Sequence, residues 1–146
     1  MKKFFAIALL SLSIGTGAFA NTTEAVSKTV TNHFKADFTN ATNVSWTSGD
    51  SYTKASFTMD GKKMEAFYNT QGEVIGTSSN VGLDELPVNA KRTLAKKFTG
   101  YTVTEAIHFD GVEENAYYIS LENDKEAVIL KVGDNNQVVN FKRTKK

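Results

Sequence analysis

YTKASFTMDGKKMEAFYN, residues Tyr52–Asn69, is the stretch on which the reading of this chain turns. Asp60-Gly61 is a two-residue hairpin turn of the kind that accepts positive φ at both positions. It predicts strands over Tyr52–Met59 and Lys62–Asn69, with Phe57 opposite Met64 and Ala55 opposite Ala66. In that register one face carries Ala55, Phe57, Met59, Met64 and Ala66, and the other carries Lys54, Ser56, Thr58, Lys63 and Glu65. A period of two that agrees with the turn specifies an antiparallel pair with one apolar and one polar face. Asn69-Thr70-Gln71-Gly72 then reads as a second turn into a strand around Glu73–Ser78.

Upstream, Val26, Val30, Phe34 and Phe38 recur every four residues and predict a helix from Thr23 to about Asp37. A second helix is marked more fully. Leu86-Pro87 puts proline at the first helical position, Ala90, Leu94 and Phe98 repeat the four-residue stripe, and Gly100 stands where a left-handed cap is wanted. Lys96 and Lys97 suit the negative end of its dipole. Strands follow over Val103–Phe109, Ala116–Glu122 and Lys125–Val132. The last two form a hairpin about Asn123-Asp124, with Tyr117, Ile119, Leu121, Val128 and Leu130 on one face. Gly133-Asp134-Asn135-Asn136 turns into a final strand at Gln137–Lys142. The expected class is α+β: a helix followed by antiparallel strands, used twice, with two helices on one face of a roughly eight-stranded sheet. The pseudo-repeats run over about 21–80 and 84–146, offset by 62 to 64 residues (Phe34 on Phe98, Phe57 on Ile119, Val74 on Val138). Asn80–Glu85 is too short and too poor in proline, glycine and serine for a free linker, so one fused domain is expected over 21–146.

Residues 1–20 read as an address. Met1-Lys2-Lys3 is positive, Phe4–Ile14 is apolar but for Ser11 and Ser13, and Ala18-Phe19-Ala20 places small residues where a signal peptidase reads. The apolar run falls short of the ~20 residues that span a bilayer. A cleaved secretory signal is expected, giving a periplasmic or secreted protein with no membrane attachment. The exported protein should begin at Asn21, which an intact-mass measurement of periplasmic material checks; a retained Met1 would overturn the localisation. Without Lys2 and Lys3 the chain carries 15 basic and 16 acidic residues. That balance offers no electrostatic handle for nucleic acid. The one cationic cluster, Lys142-Arg143-Thr144-Lys145-Lys146, reads as a solvated end.

The order helix, Phe38, Val44-x-Trp46, Tyr52, Ala55-x-Phe57, Gly61, Ala66-Phe67-Tyr68, Gly72, Leu86-Pro87, a helix ending in Phe98, and a second strand set resembles the β-lactamase-inhibitor-like, PepSY-like family of small exported bacterial proteins. The resemblance covers nearly all of residues 21–146. It implies a duplicated helix packed on antiparallel strands, as in secreted β-lactamase inhibitor protein. This chain has no Cys, where that inhibitor is disulfide-bonded, and no segment matches its enzyme-blocking loops residue by residue.

Catalytic chemistry finds little material. His33 and His108 are the only histidines, no serine sits in a G-x-S-x-G elbow, and there is no phosphate-cradling glycine loop. Asp110, Glu113 and Glu114 crowd a predicted hairpin loop that could offer oxygen ligands to calcium, but without the spacing of a twelve-residue calcium loop. A solvated turn is the simpler reading. No cofactor and no catalytic residue is expected. The aromatic residues say more. Parity sets Phe67 and Tyr52 opposite Phe57, and Tyr118 and Ile129 opposite Ile119 and Val128, on the face away from the helices. Phe67 and Tyr118 are therefore expected to be partly exposed. With Trp46, whose face the Thr47–Ser51 turn does not determine, these five are the candidate anchors for a protein or peptide partner. The expected function is a non-enzymatic exported binding or inhibitor-like protein using the helix-free sheet face. The alternative is a periplasmic carrier of a small ligand or metal ion.

Overall fold

A computed structural model describes residues 26–146. The signal peptide, the cleavage after Ala20 and the helix start at Thr23 lie outside the described residues. Helix α1 spans Lys28–Asp37, and the Ser27 side chain accepts from the Thr29 amide at its N-cap. Strands β1 (Thr42–Ser48), β2 (Tyr52–Met59), β3 (Lys62–Asn69) and β4 (Val74–Asn80) follow. A 3-10 turn at Leu83–Glu85 leads to helix α2 (Val88–Lys97), then β5 (Thr102–Gly111), β6 (Asn115–Glu122), β7 (Glu126–Gly133) and β8 (Val138–Lys145). All eight strands form one antiparallel sheet in sequence order, so β4 pairs with β5 and the sheet runs unbroken through the middle of the chain.

The decisive hairpin is as read. Phe57 pairs with Met64 and Ala55 with Ala66, and the turn holds Asp60 at φ 51° and Gly61 at φ 76°. Gly100 takes the left-handed cap at φ 86°. Several details differ from the expectation, among them the last strand, which runs over Val138–Lys145 rather than Gln137–Lys142. Pro87 is the N-cap, extended at ψ 146°, rather than the first helical residue. Asp110 and Gly111 belong to β5, so the acidic loop shrinks to residues 112–114. Strand β1 completes the expected count of about eight strands at a place that no alternation or turn in the sequence marks. Its burial is slight and irregular, because it is an edge strand with a bulge between Thr42 and Ser45, where Asn43 takes φ 53°.

Both helices cover the same face. Under α1, Val30 and Phe34 pack on Ala55, Phe57, Ala66 and Tyr68. Phe34 meets Phe57 edge-on at 5.0 Å and Trp46 at 5.2 Å. Trp46 pairs with Ala55 and so shares this face, where it is half-buried. The Tyr68 hydroxyl sits in this core without a partner among the described residues. Burial, helped by the Asp37 carboxylate, pushes its pKa up to about 12. Under α2, Leu86 and Ala90 pack on Ala106, Ile119, Leu121, Val128, Leu130 and Val132.

Candidate binding face

The opposite face carries no helix among the described residues, yet much of it is dry. Phe67, Ile107, Phe109, Ala116 and Tyr118 form a buried cluster of their own, with Tyr52, Ile75, Ile129 and Phe141 half-buried around it. The expectation that Phe67 and Tyr118 are partly exposed is therefore overturned: Phe67 is 3% exposed and Tyr118 1%. Parity sent both rings to the predicted face, but that face closes over its own side chains. Two local causes act together. Gly76 and Gly111 stand opposite each other on β4 and β5, and the Phe109 ring lies where their side chains would be. A Cβ on Gly76 would come within 2.7 Å of Phe109 Cζ. Register shifts between Phe67 and Tyr68 and between Ile129 and Leu130 bend the strands, and Ile75 and Phe141 join the cluster beside them. Phe67 meets Phe109 edge-on at 6.1 Å, and Phe141 closes on Tyr118 at 5.3 Å. The Tyr118 hydroxyl donates to Glu114, and its pKa is raised by burial and by that carboxylate.

Beside the aromatic cluster the same face is polar. Ser45, Ser56, Glu65 and Ser78 form one row across β1 to β4. Lys54 Nζ donates to Glu65 Oε1 at 2.9 Å, and Ser56 Oγ donates to the same oxygen at 3.3 Å. Lys54 is only 7% exposed, so the polar face of this hairpin is shielded from water at that position. The strand alternation is right, but Phe67, directly opposite Lys54 on β3, and the bent sheet exclude water from it. Removing Lys54 leaves a shielded carboxylate with only the Ser56 hydroxyl. Lys54→Ala is expected to cost about 2–3 kcal/mol, whereas Lys54→Met with Glu65→Leu, which removes both charges, is expected to be nearly neutral. Urea titration of the two variants checks this.

Next to the ion pair a groove of about 300 Å³ opens between β1 and β5, lined on this face by Ser45, Ser56, Lys63, Glu65, Ser78, Asn80, Glu105 and Ile107. Ser78, which lines the groove, is only 4% exposed. The Glu105 pKa is raised, chiefly by burial and further by Glu65; Asn80 and Lys63 oppose the rise. The folded carboxyl keeps its proton to higher pH than the unfolded chain does. Its ionised form therefore opposes folding at neutral pH, and this cost fades as pH falls through the folded value. Glu105→Gln is expected to raise Tm at about pH 7, by a few degrees at most, and to lose that advantage near pH 3. Thermal melts at the two pH values decide it.

No protein-family model matches the chain, and no curated protein does. Solved structures do. A protein from Bacteroides eggerthii, described as a proposed periplasmic protein, superposes with a TM-score of 0.72 at 16% identity, over 82% of this chain and 88% of that one. A DUF2874 family protein from Bacteroides uniformis gives 0.70 at 14% identity, over 82% and 88%. A BLIP-like protein from Bacteroides fragilis gives 0.66 at 15% identity, over 82% and 85%. The fold is BLIP-like. At these identities the likeness speaks for architecture, in agreement with the fold expected from the family resemblance.

The structure brings Tyr52, Phe67, Tyr118 and Ile129 to one cluster and sends Trp46 to the other side of the sheet. The acidic loop does not converge on a point. Glu114 receives Tyr118 and Lys131, and Asp110 Oδ1 accepts from Asn115 at 3.3 Å. Among the described residues no group of three or more acids, histidines or cysteines is placed to hold a metal. His33 lies at 2.7 Å from the Gly72 carbonyl, and His108 stacks on Tyr117. No described helix is long and apolar enough to cross a membrane. Sequence reasoning missed the groove. Glu65 and Lys54 shared its polar face, but Ser78, Asn80 and Glu105 join them only through the pairing of β4 with β3 and β5.

Proposed function

We propose that this is an exported, non-enzymatic binding protein that receives a protein or peptide partner on the helix-free sheet face. One observation carries the reading: a polar groove adjoins a rim of half-buried Tyr52, Ile129 and Phe141, with no described helix covering them. A rigid surface pairing apolar rings with polar groups is the composition of protein-recognition sites. Phe67 and Tyr118 lie beneath as its support. The signal-like sequence of residues 1–20 and the proposed periplasmic placement of the Bacteroides eggerthii neighbour support export. The BLIP-like neighbour supports an inhibitor-like role over an enzymatic one, and a PepSY-like affiliation belongs to the same reading.

Site-specific photo-crosslinking tests it in the producing cell. A crosslinking residue at position 52 or 129 should capture a discrete protein partner, and one at the exposed helix positions Asn32 or Arg92 should not. Capture from the helix side alone, or from neither side, would overturn the reading.

A further inference from the structure

Resting on the proposed binding face, the groove allows the partner's chemistry to be narrowed. We propose that it receives an arginine side chain of the protein partner, its guanidinium seated between Glu105, Ser78 and Asn80. The charges around the groove are unequal in their bonding. Lys54 is spent on Glu65 at 2.9 Å, and both side chains are nearly buried. Glu105 has no such cation. Lys63, the other base on the groove, stands exposed at its rim and makes no ion pair with Glu105 among the described residues. A half-buried carboxylate is thus left beside Asn80 and Ser78 on the groove wall.

Such a set is rich in acceptors spread over two neighbouring strands. An ammonium offers three donors from one point, whereas a guanidinium offers five N–H groups in a plane. It can meet a carboxylate with two parallel bonds and still present N–H groups sideways to a hydroxyl and an amide oxygen. Burial at Glu105 makes the ionised carboxylate costly in the free protein, so an entering cation would relieve a charge that water serves poorly. The groups facing it are Glu65 and Lys63 along with Asn80; His108 points to the helix side, paired with Tyr117.

NMR titration of the exported protein with acetyl-arginine amide tests this, with acetyl-citrulline amide and acetyl-lysine amide as comparators. The arginine derivative should give saturable shifts centred on Ser56, Glu65, Ser78, Asn80 and Glu105. Citrulline, neutral and of nearly the same shape, should bind at least about tenfold more weakly, and lysine more weakly than arginine. Glu105→Gln, which keeps the fold, should lose at least about tenfold in affinity, and Lys63→Met should gain about two- to threefold by removing a competing cation. Equal binding of arginine and citrulline, equal binding of arginine and lysine, or shifts scattered over surface acids would each overturn the inference. So would the absence of any saturable shift. Crosslinking from positions 52 and 129 without arginine binding would sink this inference and leave the binding face. Arginine binding without crosslinks would leave the groove and sink the protein partner.

Discussion

The double variant Phe67→Ser, Tyr118→Ser is expected to be unfolded at room temperature, or to melt so early that no native baseline remains. Each ring is almost wholly buried in the cluster on the helix-free face. Truncating a buried Phe or Tyr removes about 3–5 kcal/mol through lost transfer energy and the cavity left behind. Two such losses approach or exceed the ~5–15 kcal/mol margin by which domains are stable. Serine adds a hydroxyl to an apolar site, and losing Tyr118 also takes the phenol from Glu114. The rings belong to one cluster, so the two effects need not add, and the single variants should be measured beside the double. Far-UV circular dichroism on heating and urea titration supply the readout. A double variant melting within a few degrees of the parent would mean that the face does not close over these rings.

Phe57→Ala should cost about 3–5 kcal/mol by the same mechanism on the other face. The Phe57 ring lies under α1, edge-on to Phe34 at 5.0 Å and 4.8 Å from Phe38, so its loss opens a cavity lined by aromatic rings that cannot easily collapse. Lys63→Ala, on the exposed rim of the same hairpin, should change stability by less than about 0.5 kcal/mol. Urea midpoints for the pair test the register directly. Similar values would mean that Phe57 does not face the core.

Large effects are thus expected on both faces of the sheet, and this bears on how the molecule can recognise anything. A buried aromatic layer beneath the helix-free face holds Tyr52, Ile129 and Phe141 in place, so little side-chain freedom remains to be lost on association. The shielded Lys54–Glu65 pair has a comparable effect in the groove. It occupies one carboxylate and leaves Glu105 without an ion pair among the described residues. Glu105 is therefore a position where stability and recognition oppose each other. The substitution expected to raise Tm is the one expected to remove arginine binding.

What the sequence determined by itself is what short range and periodicity can decide. Asp60-Gly61 and the alternation from Tyr52 to Asn69 specify the β2–β3 register, because a slip by one residue would exchange the two faces. The four-residue stripes of Val30 and Phe34 and of Ala90 and Leu94 specify two helices and the sides they bury. Parity likewise assigned Phe67 and Tyr118 to the face opposite the helices. Parity says which face a side chain joins, not whether water reaches it. That was decided by tertiary structure: the Gly76–Gly111 contact under the Phe109 ring and the bends at the β3–β4 and β7–β8 bulges bury both rings and Lys54. The groove was beyond sequence for the same reason. Glu65, Ser78 and Glu105 lie far apart in the chain, and only the non-local pairing of β4 with β5 sets them within reach of one another, since burial and charge depend on distances that a linear pattern does not contain.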